Sequence, residues 1–317
     1  MIQETIARVT ENVKRIIVGK DEVIELAMVA LLCEGHVLIE DVPGIGKTTL
    51  AKALARSLDC TFQRIQFTPD LLPSDVTGIY YFNQKAQEFQ FRPGPVMSQI
   101  LLADEINRAT PRTQSALLEA MQERQITVDG ETKPLPRPFM VLATQNPIEL
   151  EGTFPLPEAQ VDRFLLRIKI GYPTGEEENR ILLRFEQDDP LEDLQPVATA
   201  AELLALQAEV RRVRVERSVR EYAVFVVRAT REHPSVDLGV SPRGTLALYK
   251  TSQALAAVRG RDYVIPDDVK ELAPHVLTHR IMISPQTRLR GRTPEEVVME
   301  VIDEVPVPVE RLDAGDV

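Results

Sequence analysis

The sequence predicts an α/β domain with a parallel sheet at residues 1–172, followed by an all-helical domain at residues 173–317. Two observations predict this division. In the first part, short apolar runs end in polar residues, which is typical of buried parallel strands. After residue 172 such runs stop, and helix-start signals of the type Ser/Thr-x-x-Glu repeat instead.

The composition is that of a globular protein long enough for two domains, with 317 residues, 44% apolar and 27% charged. Thirty-seven basic and 48 acidic residues give a net charge of −11, which argues against a large nucleic-acid surface. With only Cys33 and Cys60, we expect neither a disulfide framework nor a thiolate metal cluster. The N-terminus lacks a signal-peptide pattern, and the longest apolar run, Leu26–Cys33, is too short to span a bilayer. We therefore expect a cytoplasmic protein without a membrane span.

The first elements form a strand–loop–helix unit. Residues 2–16 carry apolar residues at helical spacing, a turn follows at Val18-Gly19-Lys20, and residues 22–33 resume the helical pattern. Residues 35–40 predict a strand, and residues 49–58 predict the helix that follows it. A strand, a glycine-rich loop and a helix in this order are typical of doubly wound folds.

The loop between them, DVPGIGKT at residues 41–48, has the composition of a phosphate-binding loop. Its backbone N–H groups can point at phosphate, Lys47 can reach the β- and γ-phosphates, and the Thr48 hydroxyl can bind Mg²⁺. The strict pattern G-x-x-x-x-G-K-[ST] requires glycine at position 41, where this chain has aspartate; a fortuitous glycine-rich turn is the alternative. The expected nucleotide-binding residues here are Pro43, Gly44, Ile45, Gly46, Lys47, Thr48 and Thr49.

Polar side chains follow two further apolar runs. Residues 100–103 lead to Asp104 and Glu105, and residues 139–144 lead to Gln145-Asn146-Pro147. At the ligand edge of a parallel sheet, Asp104 suits Mg²⁺ and Glu105 suits the attacking water, while Asn146 can bind water or the γ-phosphate. An acidic helix start and a plain Asn-Pro turn are the alternatives.

Two segments of the first domain alternate apolar and polar residues. Residues 79–82 and 88–91 predict one β-hairpin, and residues 125–128 and 131–133 predict another around Asp129-Gly130. The inserts therefore lie near 75–95 and 125–138. Surface decoration is one interpretation, but the aromatic residues of the first hairpin favour a contact surface.

In the second part, four capping boxes predict helix starts, at Thr174-x-x-Glu177, Thr199-x-x-Glu202, Ser218-x-x-Glu221 and Thr293-x-x-Glu296. Ser241-Pro242 predicts another helix that ends near Gly260. Arg243 then lies in a first turn, where a cation opposes the helix dipole unless an anion is near. A nucleotide phosphate would supply that anion; a tolerated, exposed arginine is the alternative.

Four stretches, in this order and spacing, resemble those of MoxR-type AAA+ ATPases. They are DVPGIGKT (41–48), LLADEINR (101–108), ATQNP (143–147) and EAQVDRF (158–164), and SPR (241–243) and RGRDYV (259–264) extend the resemblance over nearly the whole chain. It implies a P-loop AAA+ nucleotide-binding α/β domain followed by an all-α lid.

The resemblance also implies roles for individual residues. The Walker A motif would be residues 44–48 and the Walker B motif Asp104 with Glu105, while sensor 1 would be Asn146. Arg163 would be an arginine finger and Arg243 sensor 2, and Val18 and Gly19 would flank adenine. Arg108 and Arg112 remain alternatives for the arginine that acts in trans, and an ion pair of Arg163 with Asp162 or Glu158 is the structural alternative.

We therefore expect Mg²⁺-dependent ATP hydrolysis by a homo-oligomeric ring, most simply a hexamer, that acts on a client protein. By the resemblance, the client is a von Willebrand factor A-domain protein and the role is chaperone-like maturation, with metal insertion as one form of it. No nucleic-acid partner is expected. Two alternatives stay open: a nucleic-acid motor, and a nucleotide-gated scaffold with little hydrolysis.

Overall fold

The structure, a computed structural model, describes residues 2–146, 152–186 and 189–308. The chain forms two compact units, Met1–Val210 and Arg211–Val317. In chain order, the elements of the first unit are α1 (Ile2–Lys14), α2 (Asp21–Leu32), β1 (Val37–Glu40), α3 (Lys47–Ser57), β2 (Phe62–Gln66), α4 (Pro73–Thr77), β3 (Gly78–Asn83), β4 (Glu88–Pro93), β5 (Ile100–Asp104), α5 (Pro111–Glu123), β6 (Gln125–Val128), β7 (Glu131–Pro134), β8 (Met140–Gln145), α6 (Glu158–Val161), β9 (Leu166–Ile168), α7 (Gly175–Arg184) and α8 (Ala200–Val210).

A five-stranded parallel sheet in the order β2-β5-β8-β1-β9 forms the centre of the first unit, which confirms the predicted fold class. The predicted strands are β1, β5 and β8, and they are the three inner strands of the sheet. Leu38 and Ala103 both lie beside Ala143 of β8, so the three strands end at one edge. That edge collects Asp104, Glu105 and Asn146, as expected for polar residues that follow parallel strands.

The amino end of the same sheet also carries polar side chains, but these are buried in fixed contacts. His36, which is 5% exposed, accepts the Val141 N–H at Nδ1 (3.0 Å), so its Nε2 carries the proton and donates to Met121 O (3.1 Å). The carboxylate of Glu34 pairs with Arg124 and, at 3.0 Å, with Arg137. These contacts join the chain just before β1 to the end of α5, to β8 and to the segment that leads into β8.

The two predicted hairpins are confirmed as β3–β4 and β6–β7. Asp129 and Gly130 have φ values of 51° and 83°, which a two-residue hairpin turn of the primed type requires. The hairpins contact each other: the Lys133 ammonium lies 5.2 Å from the ring centre of Tyr80 and 4.9 Å from that of Phe91.

The boundary between the units lies at residue 210 and not at the expected residue 172. The helices α7 and α8 carry capping boxes like the helices beyond them, which is why the sequence pattern grouped them with the second domain. In the structure α8 belongs to the first unit, because it packs against α2 and the buried Gln207 Nε2 donates to Leu31 O at 2.7 Å. The sequence thus predicted that α7 and α8 are helices, but it did not predict that they pack with the first unit.

The second unit combines helices with two short antiparallel strands, β10 (Val236–Leu238) and β11 (Met282–Ile283). Its elements are α9 (Arg217–Glu232), β10 (Val236–Leu238), α10 (Pro242–Val258), α11 (Pro266–Leu277), β11 (Met282–Ile283), α12 (Pro285–Leu289) and α13 (Pro294–Glu304). In residues 2–146, 152–186 and 189–308, we find no helix that combines the length and the apolar character needed to cross a membrane.

Three of the four predicted capping boxes are present, at Thr174, Thr199 and Thr293. The fourth prediction, at Ser218, is wrong. Helix α9 already begins at Arg217 with Glu216 at the N-cap position, so Ser218 lies inside the first turn. There the Glu221 carboxylate accepts from Arg217 Nε at 2.7 Å and does not accept the backbone N–H of Ser218 as a capping box would require.

Candidate nucleotide-binding site

The loop at residues 41–48 has the backbone of a phosphate-binding loop. Gly44 and Gly46 have φ values of 85° and 91°, a region that favours glycine, and Gly46 is the N-cap residue of α3. Helix α3 follows with 11 residues, so the positive end of its dipole and its unpaired N–H groups face the loop. A phosphate group at this position would be bound by backbone donors.

Lys47 lies at the base of this loop. Its Nζ donates to Asp41 O at 2.6 Å. Burial lowers the pKa of Lys47, and the carboxylates of Asp104, Asp41 and Glu105 oppose that shift. The ammonium is thus held close to three negative groups, a position from which it can also reach phosphate oxygens.

Asp41, which replaces the first glycine of the strict phosphate-loop pattern, has a structural role. Its Oδ1 accepts the Val42 N–H at 2.8 Å, and its Oδ2 accepts the N–H groups of Ile170 and Gly171 at 2.8 and 2.6 Å. These amides belong to the chain just after β9. The carboxylate therefore ties the phosphate loop to the end of an adjacent strand, a contact that glycine could not make.

Asp104, at the end of β5, contacts two neighbouring strands. Its Oδ1 accepts from the Thr144 hydroxyl at 2.6 Å, and its Oδ2 accepts from Arg64 Nε and Nη2 at 3.2 and 2.6 Å. Thr144 lies on β8 and Arg64 on β2, the strands on either side of β5. The carboxylate is therefore fixed in orientation and charge-compensated.

Glu105 has a left-handed backbone with φ of 54°, which turns the chain sharply at the end of β5. Its N–H donates to Thr144 Oγ1 at 2.8 Å. Its carboxylate Oε2 accepts from Gln66 Nε2 at 2.8 Å and from Arg108 Nη1 at 3.2 Å. A non-glycine residue in this conformation is held by its surroundings, and such residues concentrate at functional sites.

Two cavities meet at the phosphate loop. The first, of about 370 Å³, is polar. Its walls are formed by Pro43, Gly44, Gly46, Lys47, Thr48, Thr49, Arg64, Gln66, Asp104, Glu105 and Asn146. The structure thus brings the two carboxylates, Asn146 and most of the predicted loop residues into one cavity.

The second cavity, of about 430 Å³, is mainly apolar and shares Pro43, Gly44, Gly46 and Thr49 with the first. Its remaining walls are formed by Ile16, Ile17, Val18, Lys20, Val23, Ile45, Leu50, Ile170, Tyr172, Pro173, Glu178, Ile181 and Phe185. An apolar cavity and a polar cavity joined by a phosphate loop match the two halves of a nucleotide, the base with its sugar and the triphosphate.

Val18 lines the apolar cavity. Gly19 is absent from its walls, but it has φ of 70° and a close neighbour. A Cβ at this position would lie 1.7 Å from Glu177 Oε1 of α7. Gly19 therefore permits the close approach of α7 to the turn that carries Val18.

The arginines that were predicted to act on the nucleotide line neither cavity. Arg163 is half-buried between α6 and β9 and lines neither cavity. Within the described ranges, its guanidinium forms no ion pair with Asp162 or Glu158. Arg108 pairs with Glu105 at 3.2 Å, and Arg112 is exposed in the first turn of α5. Arg243 is exposed in the first turn of α10, in the second unit.

The sequence pattern missed Arg64, Gln66 and Thr144 as site residues. Arg64 and Gln66 lie on β2, whose sequence FQRIQ has one buried residue, Ile65, and no apolar run. The alternation of polar residues around Ile65 is the only signal that could have indicated a strand with two side chains on one face.

Thr48 and Asp104 line the same cavity and offer oxygen atoms, the donors that Mg²⁺ prefers. Among the residues that the structure describes, no group of three or more His, Cys, Asp and Glu residues could hold a metal ion. Two protein oxygens would suit a Mg²⁺ ion whose other ligands are phosphate oxygens and water.

Comparison with known proteins agrees with this geometry. Residues 36–166 match the profile of the ATPase family associated with various cellular activities (AAA), and residues 228–301 match an AAA lid domain. The chain is 45% identical over 313 residues to the chaperone MoxR1 of Mycobacterium tuberculosis, covering 96% of this chain and 82% of that protein. It belongs to the MoxR family of AAA+ ATPases.

Other relatives support the same membership. The YeaC protein of Bacillus subtilis is 54% identical over 306 residues, which cover 96% of each chain. A crystal structure of a protein from Cytophaga hutchinsonii, provisionally described as an ATPase, superposes with a TM-score of 0.91 at 37% identity and covers 97% of this chain and 96% of that one. The MoxR-family assignment thus applies to nearly the full length of the chain.

Proposed function

We propose that this MoxR-family protein hydrolyses ATP in a Mg²⁺-dependent reaction and uses the energy to remodel or mature a partner protein. The observation that carries the proposal is the pair of cavities that share the phosphate loop. The polar cavity holds Lys47, Thr48, Asp104, Glu105 and Asn146 together, and the apolar cavity adjoins it at the phosphate loop and is not lined by Asp104 or Glu105.

In this proposal each residue has one task. Backbone donors of Gly44 and Gly46, the N-terminus of α3 and Lys47 bind the phosphates. Thr48 and Asp104 would hold Mg²⁺, which would neutralise phosphate charge. Glu105 accepts the proton of the attacking water or orients it, and Asn146 positions that water against the γ-phosphate. Val18 and the turn at Gly19 border the base.

We further propose that the protein works as a homo-oligomeric ring, most simply a hexamer, in which Arg163 serves the site of the neighbouring subunit. Two observations support this role: Arg163 is half-buried outside both cavities of its own chain, and within the described ranges it forms no ion pair with the adjacent carboxylates. A guanidinium supplied by a neighbour can stabilise charge in phosphoryl transfer. Arg243 remains our proposed sensor of nucleotide state from the lid.

The client is proposed to be a protein. One relative with 45% identity is named a chaperone, which supports a chaperone-like role here. The family resemblance suggests a von Willebrand factor A-domain client and a maturation step such as metal insertion. We expect this work to take place in the cytoplasm, where ATP is supplied.

The proposal is tested by ATP turnover of the assembled protein in Mg²⁺ and in excess EDTA. We expect turnover only with Mg²⁺, and none for Lys47→Ala. A mixture of Glu105→Gln and Arg163→Ala subunits tests the action in trans. Each pure variant should be inactive, but in a random 1:1 ring about a quarter of the interfaces join an intact Glu105 to an intact Arg163, so about a quarter of the wild-type rate should return.

Three outcomes would contradict the proposal. Turnover that survives Lys47→Ala would show that the loop is not the ATP site. A mixture that regains no activity would show that Arg163 does not act in trans. Strong stimulation by DNA, with salt-sensitive DNA binding, would favour the nucleic-acid motor.

A further inference from the structure

Arg64 occupies an oxygen of the carboxylate that best fits Mg²⁺. It lies on β2, and two of its nitrogens donate to Asp104 Oδ2, at 3.2 and 2.6 Å. The other carboxylate oxygen, Oδ1, accepts from the Thr144 hydroxyl. A guanidinium and a metal ion that both approach Oδ2 compete, because each is a cation that needs the same lone pairs.

Arg64 also connects the two carboxylates of the polar cavity. Its Nη2 donates to Gln66 Oε1 at 3.0 Å, and Gln66 Nε2 donates to Glu105 Oε2 at 2.8 Å. An amide whose oxygen accepts from Arg64 has its NH₂ group directed away from Arg64, and here that group faces Glu105. The position of Arg64 therefore influences the orientation of the partner of Glu105.

The negative charge of the polar cavity favours a cation at the position of Arg64. Asp104 and Glu105 lie in the same cavity as the phosphate loop, so an incoming triphosphate meets two carboxylates. Like charges in a partly enclosed site repel each other unless a cation intervenes. Lys47 is one such cation, and Arg64 is a second one that contacts Asp104 directly.

We propose that Arg64 is a positioning residue that holds Asp104 until Mg²⁺ arrives with the triphosphate and is then displaced from the carboxylate. This inference rests on the proposed function. In it, Arg64 partly replaces Mg²⁺ for nucleotide that binds without metal, and it lowers the advantage that Mg²⁺ brings.

The competing explanation is a structural ion pair that merely joins β2 to β5. The chain offers a matched pair for this comparison at the other end of the sheet. Arg124 pairs with Glu34, and the exposures are similar: 48% and 17% for the side chains of Arg64 and Asp104, against 40% and 7% for Arg124 and Glu34. Loss of either arginine removes one partly exposed ion pair, but only Arg64 borders the proposed metal site.

The experiment measures the dissociation constant of a fluorescent, non-hydrolysable ATP analogue in excess EDTA and in a MgCl₂ series. The decisive quantity is the ratio of the constant without Mg²⁺ to the constant with Mg²⁺. We expect Arg64→Gln to raise this ratio about three- to tenfold, the range for a charge-assisted pair that is partly exposed to solvent. The Mg²⁺ concentration that gives half of the change in the dissociation constant should also be lower for Arg64→Gln.

Two further variants make the result specific. Arg64→Lys keeps the positive charge but loses the contact of two nitrogens with Asp104 Oδ2, so we expect its ratio to lie between those of the wild type and of Arg64→Gln. Arg124→Gln should leave the ratio unchanged. The lysine variant also provides a test if the glutamine variant does not fold.

Other results would overturn the inference. If Arg64→Gln weakens binding equally with and without Mg²⁺, Arg64 is an ordinary phosphate contact. If the ratio is unchanged, or changes equally in Arg124→Gln, the pair with Asp104 is structural. If the wild-type protein binds no nucleotide under any condition, the proposed function itself fails, and that result is distinct from an unchanged ratio.

Discussion

The two ends of the parallel sheet use the same residue types for different purposes. At the carboxyl end, Asp104 and Glu105 line a cavity and accept hydrogen bonds from Arg64 and Gln66, which border the same cavity. At the amino end, Glu34 is paired with two arginines and His36 is held between two backbone groups, and neither residue lines the polar or the apolar cavity. Burial and partners, rather than residue type, decide which end can do chemistry.

This difference has a physical cause. In a parallel sheet the helix N-termini and the glycine-rich turn follow the carboxyl ends of the strands, so that edge offers unpaired N–H groups and space. At the opposite edge the polar groups must be satisfied inside the protein, because a buried polar group without a partner is costly. Substitutions at the two ends should therefore affect different measurements.

The largest expected effect is at Glu105. The change Glu105→Gln removes the base and keeps the size of the side chain, so turnover should fall by about 10²–10⁴-fold. Binding of the fluorescent ATP analogue should stay close to wild type, because Glu105 is not expected to bind phosphate. Steady-state turnover and equilibrium binding measure the two quantities, and a loss of binding equal to the loss of turnover would refute the role of Glu105 as the base.

The next effect is on stability and depends on pH. Burial lowers the pKa of His36 from 6.5 to about 4. Between these values the unfolded chain binds a proton that the folded chain does not, so stability is lost as pH falls below 6.5. The loss attributable to His36 should reach about 3 kcal/mol near pH 4.

Urea unfolding from pH 8 to pH 4.5 checks this prediction, with His36→Gln as the control because a glutamine amide can make both backbone contacts. The wild-type free energy of unfolding should fall more steeply with acid than that of the variant. Parallel pH profiles would show that His36 does not titrate as a buried neutral group.

The smallest effect is expected at Glu34. The change Glu34→Gln weakens the contacts with Arg124 and Arg137, and because both arginines are partly exposed, the loss of stability should be about 1–2 kcal/mol. ATP turnover per folded subunit should not change. Urea unfolding and turnover on the same preparation test this, and a tenfold loss of turnover would mean that the amino end of the sheet also serves the reaction.

Much of the fold and part of the candidate site could be predicted from the sequence. The inner strands β1, β5 and β8 are buried apolar runs, and both hairpins alternate around turn residues, so local pattern and tertiary environment agree. The phosphate loop and the residues at the three strand ends were predicted for the same reason.

The outer strands were not predicted. In β2 only Ile65 is buried, and β9 has three residues, so neither carries a pattern of its own. Arg64 and Gln66 were missed with β2. The walls of the apolar cavity come from residues 16–23 and 170–185 as well as from the loop. No local pattern indicates that such distant segments meet, because their packing is a property of the fold.

The most direct test of the difference between the two ends measures turnover and the free energy of unfolding for both glutamine variants in one set of assays. We predict a crossover: Glu105→Gln loses turnover and keeps the wild-type stability, whereas Glu34→Gln keeps turnover and loses stability. If Glu105→Gln still turns over ATP at the wild-type rate, or if both variants lose the same property, the assignment of catalysis to the carboxyl end and of stability to the amino end is contradicted.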